Sequence, residues 1–377
     1  MEEVKRIKLV NTRQLEDVPE LMHHIQSLLP VKEAARTCVL SKSWLHSWST
    51  IPTLRFRQPT KNLNIQQHKE YMNMIDHTLI RYLWDDIPIT SFKLRLDIWS
   101  DSLASHVKKW IQQLVLRSCL TEINLKLVMN CISFQLPEEI FWGENLKKVS
   151  INLRTLGKLA WLHPVPSHRT DPLLSMRELV LDLVMIDSSF PEIIYSKFPC
   201  LESLTLKFRC FRMMKSLNVT CVSLKKLIIK IRDDNPTCIH VFAPKLLIFC
   251  YTGGVRIPNF VFPAIAPLKI ELNLKLMKSM DNISFFLQMR ETLNLSSNFN
   301  ILISTSCDFI KQFYIGIDDL RRQVPNPARN VQQLSFKSCP GEDLWGHSEF
   351  FDSFFSICSP SYIKAIQSIC PTCKMLR

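Results

Sequence analysis

An apolar residue at i, i+3 and i+5 recurs along the middle of this chain of 377 residues: LTEINL from Leu120, LKKVSI from Leu146, MRELVL from Met176, LESLTL from Leu201, LKKLII from Leu224 and LLIFCY from Leu246. Successive starts lie 26, 30, 25, 23 and 22 residues apart. A six-residue motif of this kind reads as a short strand whose alternate side chains point inward. The remaining residues of each period must return the chain to the start of the next strand. One copy alone buries too little apolar surface to be stable, whereas a stack of copies buries a continuous core.

The motif L-x-x-L-x-L at a period of about 20 to 29 residues is that of a leucine-rich repeat. The longest interval contains the loop WLHPVPSHRTDP at 161–172. Weaker copies are ITSFKL from Ile89, PLKIEL from Pro267, RETLNL from Arg290 and VQQLSF from Val331. Many such repeats carry Asn or Cys at i+8; here Asn298 and Cys339 do so, and most copies do not. The expectation is therefore an irregular solenoid. The tail EFFDSFFSICSPSYIKAIQSIC at 349–370 is expected to cap it.

The segment before the repeats is different in kind. Asp17 and Glu20 have capping-box spacing around Pro19, and Leu21, Ile25, Leu28 and Leu29 follow on one helical stripe until Pro30. Lys32 to Cys38 is a second helix-forming run. Ser41 is placed to cap a third helix, which carries Trp44 and Trp48 one turn apart and ends before Pro52. Three helices in so short a stretch have little core of their own, so some of their apolar residues must meet another surface. Beyond a linker near Arg57 to Asn64, helices are expected over Gln67 to Leu83 (stripe Met72, Ile75, Leu79, Leu83) and Leu103 to Leu116 (stripe Leu103, Val107, Trp110, Ile111, Leu114).

Several function classes find no support. Seven glycines form neither of the familiar phosphate-cradling loops, and no nucleophile elbow is present. The one C-x-x-C, Cys370 to Cys373, has no second pair to complete a zinc site, so no metal or other cofactor is expected. His23-His24 reads as a solvated or interface pair, and Asp85-Asp86 and Asp233-Asp234 as turn residues. The net charge of +13 is carried by scattered pairs such as Lys108-Lys109, Lys147-Lys148 and Lys225-Lys226, with no run of five like charges. That pattern reads as solvated surface and argues against a nucleic-acid partner unless the fold gathers it into a stripe. The thirteen cysteines are dispersed through apolar stretches, which suits reduced, mostly buried thiols. The least polar stretch, IPNFVFPAIAPL at 257–268, is too short and too rich in proline to span a membrane.

The stretch VPELMHHIQSLLPVKEAARTCVLSKSWLHSW, Val18 to Trp48, resembles an F-box. The repeats with PTLRF, LPEEIF, NLKKVSI, FPCLESLTLKF and IHVFAPKLLIFCYTGG are similar to plant F-box proteins with leucine-rich repeats as far as about residue 255. No FBD tail is recognisable. The resemblance implies an α/β fold, an N-terminal three-helix F-box followed by an irregular leucine-rich repeat solenoid. It also implies a non-catalytic substrate receptor of an SCF-type ubiquitin ligase, docked on a Skp-family adaptor and through it on a cullin. The expected adaptor contacts are Leu28, Leu29, Pro30, Val31, Val39, Leu40 and Trp44, joined by family position by Pro19, Leu21 and Ile25. The departure is at the start: Val18-Pro19 is followed by Glu20 alone before Leu21-Met22, one residue fewer than the family spacing.

The expected organisation is F-box 15–52, linker and helix 53–88, repeats 89–340 and a C-terminal capping segment 341–377. A protein target would be met on the concave strands by Thr121, Asn124, Ser203, Thr205, Lys207, Lys225 and Lys226. The competing reading is a repeat scaffold whose shortened F-box no longer binds the adaptor. Either protein is expected in the cytoplasm, the nucleus or both, without a membrane partner.

Overall fold

The computed structural model describes residues 15, 18–58, 64–117, 119–129, 137–141, 143–155, 161–162, 172–182, 185–186, 197–208, 215–232, 236–254, 256–262, 267–276, 282–305, 309–310, 313–338 and 347–367. Its framework is one parallel sheet of twelve strands. In spatial order these are β1 (Thr53–Arg57), β2 (Ser91–Ile98), β3 (Glu122–Met129), β4 (Lys148–Thr155), β6 (Glu178–Asp182), β8 (Ser203–Phe208), β10 (Lys226–Ile231), β12 (Ile248–Gly253), β14 (Lys269–Lys275), β15 (Phe299–Ser304), β16 (Val331–Ser338) and β17 (Tyr362–Gln367). Each strand of this sheet lies beside the one that follows it in the chain, which is the order a coil produces. Two-residue strands β5 (Trp161–Leu162) and β7 (Met185–Ile186) pair with each other, and β9 (Ser216–Thr220), β11 (Cys238–Phe242) and β13 (Asn259–Val261) form a second parallel sheet.

The return segments change character along the coil. At the beginning they are helices, α4 (Ile65–Trp84) and α5 (Asp101–Arg117); in the middle they are β9, β11 and β13; at the end they are α6 (Asn282–Thr292), α7 (Ile317–Gln323) and α8 (Ser348–Ile357). The sequence accounts for the helical returns. The expected stripe of α5 is buried along its whole length, from Leu103 to Leu114, and α4 buries Met72, Ile75 and Leu79 together with Tyr82 and His68. Asn64 caps α4 with a full capping box to Gln67. In the short middle returns, alternation replaces the helical period: β9 and β11 bury every second residue, Leu217 and Val219, then Ile239 and Val241.

Inward residues stack in rows. One runs Phe56, Leu94, Leu125, Ile151, Leu181, Leu206, Ile229, Tyr251, Leu272 and Ile301 from strand to strand. Every member is at most 2% exposed. Burying a Leu, Ile or Phe side chain is worth about 1.5–3 kcal/mol, so each row is a major source of stability. Gly253 lies two residues beyond Tyr251 on the same inward side, and a Cβ there would collide with the tyrosine ring. The C-terminal end is closed by aromatic packing, with Phe354 of α8 4.8 Å from Phe286 of α6 and 5.3 Å from Phe336 of β16, centroid to centroid.

Backbone bonds join successive coils just before each strand. The amide just before each strand donates to the equivalent carbonyl of the preceding coil: Thr121 to Thr90, Lys147 to Thr121, Arg177 to Lys147, Glu202 to Arg177, Lys225 to Glu202 and Leu247 to Lys225, at 2.8–2.9 Å. Side chains add to this ladder, as when the Ser175 hydroxyl donates to Leu146 O at 2.9 Å and the Ser223 hydroxyl to Leu201 O at 2.8 Å. Cys339 and the C-x-x-C lie outside the described residues, as do Asp233-Asp234 and most of the long loop.

Four expectations need correction. The sheet begins at Thr53 and not at 89, because TLRFR alternates and pairs with β2. RETLNL is not a repeat strand: its Arg290 to Thr292 ends α6, where Phe285, Phe286 and Met289 are buried, and the strand comes later as FNILIS. The tail does more than cap, since β17 joins the sheet as its last strand. The first helix has Val18 as its N-cap, without a side-chain cap bond, in place of the expected start at Asp17, which lies outside the described residues. Asp86 does sit in a turn, with φ of 52°. The described cysteines are all free, though only Cys221, Cys250 and Cys358 are buried. No helix among the described residues is long and apolar enough to cross a membrane.

Candidate functional site

The first three helices, α1 (Pro19–Leu28), α2 (Val31–Arg36) and α3 (Lys42–Ser49), pack before the first strand of the sheet. Between α2 and α3 a single 3-10 turn covers Thr37–Val39, and Ser41 caps α3 by accepting from the Trp44 amide. Their interior is closed by Met22, Ala34 and Trp44 around one polar side chain, Gln26, which is 1% exposed. Its Nε2 donates to Thr37 Oγ1 at 2.7 Å and to Trp44 O at 3.1 Å, so one amide ties all three segments together. Gln26 carries only a faint signal in the sequence. The signal was a polar residue exactly one turn from Met22 on α1.

The unit is bolted to the sheet. Val31 belongs to the same continuous core as Leu54 and Phe56 of β1. Arg55 Nη1 donates to Leu28 O at 2.8 Å and so satisfies a carbonyl at the end of α1. The Arg81 guanidinium of α4 lies 4.5 Å from the Trp48 ring centroid and 4.9 Å from that of Tyr82. His23 bonds Thr50 at 3.0 Å across the unit, and His24 is exposed.

The anticipated stripe on α1 is one residue out of phase with the buried one. Met22 and Gln26 face inward, while Leu21 is 42% and Leu28 54% exposed, in helical phase with Val18 at 38%. Further exposed apolar residues are Val39 at 87%, Leu40 at 63% and Leu45 at 49%. Pro19 is exposed and Ile25, Leu29 and Pro30 are half-buried. Val31 and Trp44 are corrections: both are buried, at 8% and 7%, and serve the interior. Leu45 was missed because the tryptophans on either side of it drew the reading to their face of α3.

The expected target contacts divide. Asn124, Ser203, Lys207 and Lys226 occupy outward positions on β3, β8 and β10. Thr205 is outward in register but only 8% exposed, between Val180 and Ile228 on the adjacent strands, and presents little surface. Thr121 and Lys225 precede their strands. The Thr121 hydroxyl donates to Thr90 O, and Lys225 Nζ pairs with Glu202 at 2.9 Å, so both fasten one coil to the next. No group of three or more His, Cys, Asp or Glu side chains among the described residues is arranged to hold a metal ion.

No family model matches the sequence. Curated proteins do match it. An F-box/LRR-repeat protein of Arabidopsis thaliana is 26% identical over 321 residues, which is 79% of this chain and 65% of the relative. Another Arabidopsis F-box/LRR-repeat protein is 30% identical over 255 residues, 62% of this chain and 49% of the relative. The chain is similar to F-box/LRR-repeat proteins of Arabidopsis. A putative F-box/LRR-repeat protein from the same plant is 27% identical over 247 residues, 63% of this chain and 37% of the relative. The chain thus spans between 37% and 65% of the length of these F-box/LRR-repeat relatives.

Proposed function

We propose that the chain is the substrate-recognition subunit of an SCF-type ubiquitin ligase. In this reading α1–α3 are an F-box that docks on a Skp-family adaptor and through it on a cullin, and the open face of the twelve-stranded sheet holds a protein target. The chain itself acts without catalysis, in the cytoplasm or nucleus. The observation that carries the reading is the mismatch within the helical unit. Its interior is already closed by Met22, Ala34, Gln26 and Trp44, yet Leu21, Leu28, Val39, Leu40 and Leu45 remain exposed. Large apolar side chains gathered on so small a unit mark a surface that meets a partner. The names of the Arabidopsis relatives pair an F-box with leucine-rich repeats, in agreement with that division.

The test is co-purification with a Skp-family adaptor of the parent and of Val39→Asp/Leu40→Asp. Both positions are exposed, so the variant should fold, whereas a charge at Val31 would enter the core. Binding by the parent and loss in the variant supports the proposal. Retention by the variant removes these residues from the interface. If the parent fails to bind but a residue inserted between Pro19 and Leu21 restores binding, the shortened start is the defect and the chain is a repeat scaffold without a ligase role.

A further inference from the structure

The charge that looks scattered along the chain is gathered by register. In the parallel sheet, Arg57 of β1 stands beside Arg95 of β2, and Arg95 beside Lys126 of β3. All three side chains are exposed on the open face. Neighbouring strands are about 4.8 Å apart, so three positive charges are held side by side, an arrangement that opposes folding. Elsewhere on the same face such neighbours alternate in sign: Lys93 pairs with Glu122 at 2.8 Å, Lys148 with Glu178 at 2.8 Å and Lys207 with Asp182 at 3.1 Å, each across adjacent strands. No carboxylate among the described residues pairs with Arg57, Arg95 or Lys126; on β4 the neighbour of Lys126 is Asn152, and Arg154 stands beside Val128 with Asp97 of β2 on the other side.

At its β1 end the row runs into an open groove of about 440 Å³ between β1, α2 and α4. Lys32, Arg55 and Arg57 line it, and the one acidic residue on its wall, Glu33, is held by Arg36 at 3.3 Å. The groove also follows the free edge of the sheet. Gln58 N bonds Arg95 O, so by alternation the amides and carbonyls of Thr53, Arg55 and Arg57 point away from β2, and no hydrogen bond to them is present among the described residues. An open strand edge recognises an extended polypeptide through its backbone. Bases need aromatic platforms, and the only aromatic at an outward strand position of the described sheet is Tyr362, at the opposite end.

The geometry points to an acidic, extended polypeptide segment as the ligand of this region, lying across Arg57, Arg95 and Lys126 and entering the groove beside β1. The inference rests on the reading of the open face as the target-binding surface and supplies the chemistry of the target.

The test uses the full chain and a fluorescent peptide that alternates Glu with Thr, followed by anisotropy at physiological salt. Comparison probes are the same peptide with Lys for Glu, an N-methylated form of the acidic peptide, and single-stranded and duplex DNA. Arg95→Glu is the decisive variant, because it converts the repelling row into an alternating one. It should raise the thermal midpoint or leave it unchanged, while weakening the acidic peptide by about tenfold or more. Lys337→Glu, far along the sheet, carries the same change in net charge and should change binding less than about twofold. Weak binding of the Lys and N-methylated peptides completes the expected result. The inference is overturned if the acidic peptide does not bind, if the two variants lose binding equally, or if inorganic phosphate alone displaces the peptide at matched concentration. Tighter binding of DNA that is lost in Arg95→Glu would make this a nucleic-acid site and overturn it too. Adaptor co-purification is read separately: its failure with peptide binding intact removes the ligase role and leaves the acidic-segment site standing.

Discussion

The helical unit and the repeat array solve the same problem in opposite ways. In the array every coil hides its apolar residues against the next, so that Leu204, Leu227 and Phe249 are wholly inaccessible. In the helical unit a few residues close a small interior and others of equal size stay in water, Val39 at 87% exposure being the extreme. The array stabilises itself through its neighbours, and the unit leans on β1 and on whatever covers its outer face. Apolar side chains are therefore hidden in one region and partly left in water in the other.

The sharpest way to break this contrast is to truncate an inward row. Phe249→Ala should lower stability by about 3–5 kcal/mol, because its ring packs 5.2 Å from that of Phe260 and the rigid rows on either side cannot collapse into the void. Val39→Ala, on a residue of similar hydrophobicity, should change stability by less than about 0.5 kcal/mol. Denaturant titration of the two variants tests the distinction directly, and comparable losses would show that the helical unit is covered within the chain itself.

A middle-sized effect is expected at Gly253, where the Tyr251 ring fills the space a side chain would take. Gly253→Ala sets a methyl group against the Tyr251 ring in a closed layer, and overpacking of that kind destabilises by about 1–3 kcal/mol. The Tyr251 hydroxyl is buried and has no partner among the described residues, and burial holds its pKa far above the ordinary tyrosine value. Tyr251→Phe removes an unsatisfied polar group and should be neutral or stabilising by up to about 1 kcal/mol. Calorimetry on both variants separates shape from polarity at this position; a marked loss in Tyr251→Phe would mean that the hydroxyl has a partner in solution.

How much of this was legible in the sequence follows from the same contrast. The strand positions of β2, β3, β4, β6, β8, β10, β12, β14 and β16 were readable because period-2 burial against like neighbours leaves an unmistakable trace. RETLNL shows the limit: its leucines fit the repeat spacing, but Phe285, Phe286 and Met289 upstream made a helix the better burial. β1 was overlooked because its returns are a helix and a linker and not another repeat. On α1 the amphipathic pattern was visible but ambiguous in phase, since apolar residues lie on both the buried and the exposed side; only Gln26, drawn inward by Thr37 and the Trp44 carbonyl, shows which is which. The basic row was invisible along the chain, because Arg57, Arg95 and Lys126 become neighbours only through strand register.

The smallest expected effect concerns the contact between the first return helix and the sheet. His68 is 4% exposed, with its ring edge-on to Trp99 at 5.3 Å and its Nε2 without a partner among the described residues. Burial lowers its pKa below the ordinary value of 6.5, with the Asp97 carboxylate opposing the shift in part. The unfolded chain therefore takes up the proton first as pH falls. Stability from this residue is complete above about 6.5 and is lost as pH drops through the folded-state value. Glu122, held below the ordinary carboxylate range by Lys93 and Ser91 against its own burial, weakens in the same direction at lower pH. Comparing denaturation midpoints of the parent and His68→Gln between pH 7 and pH 5 isolates the histidine: the parent should lose more over that interval than the variant. Equal losses would show that His68 stays solvated, and that α4 is held to the sheet less tightly than the returns in the middle of the array.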